Sequence, residues 1–388
     1  MPWLPGYTRR KSKGLNASST TQYDYPMRLT IYKQGLGPDS PTEVFLGGHC
    51  RDDFWDIRFT SNDQTTLLNY WIESYVSGNY AIVWIKVPTV PPPIGVSQIY
   101  IYYDNPDITT SLSNELGVWN IFSYSSQFSS IQGQNGWYYY QRNRGSAPGT
   151  GWTSMNWDIA GGFWRGVGAW PLGLWSSQEH PYRSIDAVIL WQSNINLSIR
   201  ITGYAQRGDS GGNGVNNRII KRNLSTQAET SLWSHTFPGS GGGTQNFSIE
   251  TTKMSNDSID FYTDSLGDEG YDTTIFIPTV KTRPLASPEP TFGTSGTEEL
   301  DMTATLMTLD KTSCIGPCSV GIGVEWQNFG NADITYRPAV IIDQGTPDSI
   351  IAYGTTDIII PAKGGKASGL IATPTLSAGS HIICPYPN

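Results

Sequence analysis

Between residues 125 and 280 the chain concentrates flat aromatic rings and charged side chains. Trp137, Tyr138, Tyr139, Tyr140, Trp152, Trp157, Trp164, Trp170, Trp175 and Trp191 are interspersed with Arg142, Asp158, Arg165, Glu179 and Asp186. Rings that stack on the C–H face of a sugar, beside polar groups that fix its hydroxyls, are what a glycan-binding surface needs. Aromatics at alternate strand positions also fill sandwich cores, so most of these rings are expected to be buried and two or three exposed. Trp152, Trp164 and Trp170 stand in glycine-rich, loop-like stretches and are the rings expected at the surface, with Arg165 among the polar groups beside them.

A second cluster is acidic. Asp264, Asp268, Glu269 and Asp272 share one turn and could hold calcium, since a hard cation wants several oxygens from a compact loop. The spacing misses the EF-hand pattern, and a hairpin with solvated charges explains the turn as well. Gly208-Asp209-Ser210-Gly211-Gly212 copies the nucleophile signature of trypsin-like serine proteases, with His49 and Asp104 or Asp107 upstream. A triad must assemble on one paired-barrel domain. His49 and Asp104 belong to a different, self-contained segment, so the glycines read as a loop before a strand. No HExxH, Walker loop or dinucleotide fingerprint is present. Glycosidase chemistry needs two carboxylates flanking a cleft, and the acidic residues here are scattered in turns. A non-enzymatic protein is expected.

The elements that must carry these groups are strands. Of 388 residues only 15% are charged, while Gly 42, Pro 25, Trp 14 and Tyr 21 are all high, a bias toward turns and aromatic-faced strands. MRLTIYK, WDIRFT, YAIVWIKVP and SQIYIYY place apolar residues at period two, and no window sustains helical patterning over three turns. One short helix is expected around Ser111–Trp119. The fold class read from this is all-β, three β-sandwich domains (jelly-roll or immunoglobulin-like) in series. Their boundaries are 1–118, 119–285 and 295–388, with a Pro-rich linker at 286–294 that composition keeps out of regular structure. A net charge of -8 leaves no basic field for phosphate backbones, which argues against nucleic-acid binding. No apolar run reaches the length of a membrane helix.

Cysteines separate the regions. Cys50 stands alone, while Cys314, Cys318 and Cys384 lie in the last quarter. A bridge from Cys384 back to Cys314 or Cys318 would pin the last strand, worth about 2–4 kcal/mol for a long loop. Zinc is disfavoured because the Cys-x3-Cys pair has no second pair and His381 is the only histidine nearby.

GYTRRKSKG, YPMRLTIYKQG, DIRFT, YWIES and IYIYY, in that order over residues 5–106, closely resemble a domain of unknown function found near the N-terminus of modular surface proteins of archaea, bacteria and their viruses. That resemblance implies a small β-sandwich beside lectin-like or adhesion modules, without known catalysis. Within it, Asp52, Asp53, Asp56 and Arg58 are expected to pair with one another. QGQNGWYY and GNGV, within residues 125–280, are similar to a jelly-roll carbohydrate-binding module and imply sugar binding. VEWQNFGNAD, within 297–388, resembles an adhesion-type immunoglobulin-like module and implies that Trp326 fills its core.

The functional expectation is a surface protein of a virion or extracellular assembly that acts in adhesion and contacts glycans or other surface subunits. It is expected to be a homo-oligomer or part of a larger assembly. The opening MPWLPGYTRRKSKGLNASS lacks an apolar h-region, so no secretory signal is expected, which tilts the reading toward a virion. Five N-x-S/T triplets, at Asn16, Asn196, Asn223, Asn246 and Asn256, permit glycosylation on export. The alternatives are a purely structural subunit, such as a capsid decoration or filament protein, and an accessory module of a secreted glycoside hydrolase.

Overall fold

The computed structural model describes residues 3–16, 18–35, 38–92, 97–310, 317–343, 349–373, 375–377 and 380–386. The expected all-β class is what it shows, with strands throughout and helices of a single turn, Glu115–Val118 and Tyr124–Gln127. No helix among the described residues is long and apolar enough to cross a membrane. The chain divides into two units, one made of Met1–Val118 with Ala286–Asn388, the other of Trp119–Leu285.

In the first unit, one sandwich is built from strands whose apolar residues alternate inward. Tyr25, Met27, Leu29 and Ile31 on Gln22–Tyr32 meet Val83, Ile85 and Val87 on Tyr80–Val90, and Ile99, Ile101 and Tyr103 on Gln98–Tyr103 close the core from the opposite sheet. The stretch read from composition as a linker contributes to this sandwich. Thr291–Ser295 pairs antiparallel with Arg9–Asn16, Leu15 opposite Phe292, and Phe292 and Ala286 are buried in the same core. Glu299–Leu300 then pairs with Arg9 and Arg10. The chain leaves this sandwich for the second unit and returns to finish it.

A second sandwich of the same unit packs Trp326, Ile322, Val324, Ile334, Tyr336 and Val340 around one core, and Trp326 is fully buried. The two sandwiches touch closely. Asp301 N–H donates to the Thr8 carbonyl and Asn331 N–H to the Gly6 carbonyl. A Cβ at Gly330 would lie 2.0 Å from Thr8 Cγ2, so only glycine fits there. Cys384 is a half-buried free thiol, as Cys50 is a buried one, so the bridge expected from Cys384 is not formed. Its strand Ile383–Pro385 is held instead by antiparallel pairing with Ala339–Ile342. Cys318 is disulfide-bonded, and Cys314 lies outside the described residues.

The expected pairing among Asp52, Asp53, Asp56 and Arg58 does not form either. Asp53 takes Arg51 at 2.8 Å and Asp52 takes Lys33 at 2.5 Å. Arg58 turns inward to the carbonyls of Trp55 and Ile57 and the Tyr70 hydroxyl, while Asp56 accepts the backbone N–H of Arg51 and Asp104.

The second unit is a two-sheet sandwich. One sheet runs Trp152–Ser154, Trp137–Asn143, Ile185–Gln192, Asp257–Asp264, Gly214–Asn223, Glu229–Pro238. The other is centred on Leu197–Arg207 and Thr274–Pro284. Trp137, Tyr139, Ile189, Trp191, Phe261 and Ile219 from the first sheet meet Ile199, Ile201, Ala205, Phe276 and Val280 from the second.

Candidate functional site

Period-two alternation sends the neighbours of those core residues to the outer face of the six-stranded sheet. Tyr138, Tyr140 and Arg142 point outward from Trp137–Asn143, where Trp137, Tyr139 and Gln141 are buried. Register then lines up Ser154, Tyr140, Val188, Tyr262, Arg218 and Ser234 in one row across all six strands. Trp152 opens the next row opposite Arg142.

This outer face is concave. Trp152 sits on the edge strand, yet its ring lies 6.0 Å from that of Tyr262, three strands away, and 4.2 Å from the Arg222 guanidinium, four strands away. On a flat sheet those strands would be about 14 and 19 Å from the edge. Tyr140 meets the Trp152 ring edge-on at 5.9 Å, Arg142 lies over it at 5.3 Å, and Arg218 lies over Tyr262 at 4.9 Å.

Carboxylates fix these guanidiniums in place. Arg222 binds Asp260 at 2.6 Å, both buried, and Arg142 binds Glu229 at 2.8 Å and the Tyr262 hydroxyl at 3.1 Å. Asp186 is held between Arg144 at 3.2 Å and Arg218 at 3.0 Å, and Arg144 also takes Asp264 at 2.5 Å. Burial raises the pKa of Asp260, and burial with the adjacent Asp264 pushes Asp186 up to about 6 against the pull of its two arginines. Each of these carboxylates is thus paired with an arginine. Nε of Arg142 and of Arg218, the indole N–H of Trp152 and Oδ1 of Asp260 are buried without hydrogen bonds, beneath a small apolar cluster in which Tyr140 and Trp152 pack on the buried Val188, Ile220 and Tyr262.

The four residues expected to bind a ligand do not form one site. Trp152 belongs to the concave face. Trp164 is 4% exposed, contrary to expectation. It occupies the inward position of Phe163–Arg165, stacks on Tyr139 at 4.8 Å and donates its indole N–H to the Ser129 carbonyl at 2.8 Å. Arg165, next in sequence, points outward and faces Asp158 at 3.6 Å. Trp170 is 67% exposed, its ring 6.5 Å from that of Phe163. Arg218, Arg222, Asp260 and Tyr262 were missed. Their signal was the alternation of polar with apolar residues in GVNNRIIKRN and DSIDFYTD, which strand pattern alone cannot tell from a solvated face.

The acidic turn is organised by arginine rather than gathered for a metal. Asp264 pairs with Arg144, Glu269 with Arg183 at 2.9 Å, and Asp268 accepts the Gly270 N–H. Asp272 is fully buried 3.8 Å from Arg207, whose guanidinium donates to the carbonyls of Gly211 at 2.5 Å, Tyr271 at 2.9 Å and Pro238. Arg207 is thus the cation beside Asp272. No group of three or more histidine, cysteine or acidic side chains that could hold a metal exists among the described residues, and Asp264, Asp268 and Asp272 are not gathered into one. Ser210 stands in the loop before Gly214–Asn223, with Gly211 and Gly212 at positive φ.

Comparison with known proteins adds a partial family match. Residues 53–139 match the domain of unknown function DUF2341, a span from the first sandwich into the Trp137–Asn143 strand. No curated protein matches. Among solved structures, the chain is similar to a GH2 β-galacturonidase of Eisenbergiella tayi at 9% identity and TM-score 0.20, over 67% of this chain and 38% of that one. It is also similar to a calcium-binding mutant of Bacteroides uniformis β-glucuronidase 2, at 10% and 0.19, over 66% and 28%. A putative β-galactosidase of Bacteroides fragilis gives 8% and 0.19, over 70% and 41%. The chain therefore spans well under half of each of these proteins, and likeness at this level carries neither activity nor substrate to it. The family match thus falls on residues 53–139 of a nearly all-β chain built of several sandwiches.

Proposed function

We propose that this chain is a non-enzymatic recognition protein whose second unit binds glycans through the concave face of its six-stranded sheet. The observation that carries the reading is the packing of Trp152 with Tyr140, Tyr262, Arg142 and Arg222 on one curved face, where the rings of Trp152 and Tyr140 are the partly exposed ones. Aromatic faces suit sugar C–H groups, and fixed guanidiniums and carboxylates suit hydroxyls, which both donate and accept. The pairing of each carboxylate with an arginine favours binding over hydrolysis. A place in adhesion, on a virion or in an extracellular assembly, follows from the surface-protein resemblance of the first and last modules. The two ten-residue edge strands Glu229–Pro238 and Thr244–Lys253 offer backbone for strand pairing between copies.

The test is a glycan array probed with the full chain, Trp152→Ala and Arg218→Gln, with thermal unfolding as the check on folding. Binding by the wild type that both variants lose supports the reading. Binding unchanged in both folded variants, or none by the wild type, sinks it and leaves a structural subunit.

A further inference from the structure

The first unit contains a pocket of about 480 Å³ where the returning segment 294–298 crosses the first strand. This is a volume typical of small-ligand sites. One flank is the Phe45 ring, held by stacking on Tyr32 at 5.0 Å and 15°. Lys11 donates to the Phe45 carbonyl at 2.7 Å and lies 3.5 Å from Asp39, whose other oxygen accepts the Phe45 N–H. On the returning side Glu298 is fixed by Arg9 and by the Tyr103 hydroxyl at 2.5 Å. The wall is therefore rigid and its charges are matched in pairs, Lys11 with Asp39 and Arg9 with Glu298.

What remains open is neutral hydrogen-bonding capacity. The half-buried His49 imidazole and the Thr294 and Thr297 hydroxyls line the pocket and make no side-chain hydrogen bond to another described residue. Burial and the nearby Arg9 lower the His49 pKa, which keeps the ring uncharged, one nitrogen a donor and the other an acceptor. A phosphate would meet Glu298 and Asp39, and an ammonium would meet Lys11. A hydroxyl-bearing ring, with one apolar face for Phe45 and groups that donate and accept for His49 and the threonines, meets no mismatched charge.

We propose that this pocket is a saccharide-binding site, sized for one or two sugar residues, distinct from the concave face of the second unit. It does not depend on the glycan reading of that face. It needs the returning segment, since Thr294, Thr297 and Glu298 form one wall.

The experiment is saturation-transfer NMR on the full chain. The probes are methyl glycosides of glucose, galactose, mannose and N-acetylglucosamine together with lactose, with inorganic phosphate and methylammonium as separate arms read from the His49 ring signals. His49→Ala deletes the open imidazole, Thr297→Trp fills the cavity from an exposed position, and Trp152→Ala disables only the other face. Thermal unfolding checks each variant. Transfer to at least one sugar is expected in the wild type and in Trp152→Ala, with affinity weakened about tenfold or more in both pocket variants, the loss of roughly one good hydrogen bond. His49 ring signals should shift on sugar addition. The proposal is overturned if no sugar receives transfer, if folded pocket variants bind as the wild type does, if Trp152→Ala alone abolishes binding, or if only phosphate or methylammonium moves the His49 signals.

Discussion

Phe292→Ala tests whether the returning strand is structural. Phe292 is 2% exposed, sits opposite Leu15 and joins the core formed by residues 15–103. Removing a buried phenyl ring costs about 3–5 kcal/mol, part transfer and part cavity. With each 1.4 kcal/mol a factor of ten, amide protection on Gln98–Tyr103 should fall roughly a hundredfold to several thousandfold, if those amides exchange through opening of this sandwich. Hydrogen exchange followed by mass spectrometry reads this locally, which matters because a chain of several modules does not unfold in two states. Peptides from Ile185–Gln192 in the second unit are the internal reference and should not change. Thr291→Ala, one residue earlier and exposed, should stay within about 0.5 kcal/mol of the wild type. Protection on Gln98–Tyr103 that survives Phe292→Ala within about threefold would refute the assignment, because no buried ring of this size is so cheap to lose.

Three further outcomes follow from the second unit. Trp164→Ala should lower amide protection in Ile185–Gln192 by the equivalent of about 3–5 kcal/mol in hydrogen exchange, whereas Trp170→Ala should stay within about 0.5 kcal/mol, because one ring is in the core and the other in water; equal costs would contradict their placement. Arg207→Met should cost at least about 3 kcal/mol and raise hydrogen exchange in 208–213 and 266–272, since three carbonyls and Asp272 lose their cation; unchanged exchange there would show that the guanidinium does not organise the loops. Burial pushes Asp272 up to about 7, so the fold holds a proton that the unfolded chain releases near pH 4. The wild type should therefore lose stability relative to Asp272→Asn as pH rises from about 4 to 7, by up to ~4 kcal/mol, and a difference that is flat or rises with pH reverses the sign.

The strands were legible because burial on one face imposes period two, and QYDYPMRLTIY, YAIVWIKVPTV and QIYIYY carry it openly. The linker was misread because its prolines and serines dominate the composition, while Thr291–Ser295 needs only Phe292 to reach a core and backbone pairing with Arg9–Asn16 to be held. Trp164 was misplaced because surrounding glycines signal a loop, whereas a three-residue strand is enough to turn one ring inward. Arg207 carries no sequence mark of its role, since the carbonyls it gathers come from residues 211, 238 and 271. Such a site depends on chain convergence, which neither composition nor period encodes.

The same convergence decides what fragments can test. The saccharide pocket of the first unit takes one wall from residues 11–49 and the other from 294–298, with the whole second unit between them in sequence. A fragment of residues 1–118 lacks Phe292 from its core, Glu298 and Glu299 as partners of Arg9 and Arg10, and the Thr294 and Thr297 hydroxyls from its pocket. Arg9 would keep Asp104, and Arg10 would keep Gln64 and the Tyr102 hydroxyl, but each buried guanidinium would lose its glutamate along a newly exposed strand edge, which costs stability and invites pairing with other chains. That fragment should be less stable than the same sandwich in the full chain, prone to association, and unable to bind the sugar that the full chain binds. A monomeric 1–118 fragment with full sugar affinity would show that the returning segment contributes neither to the core nor to the site.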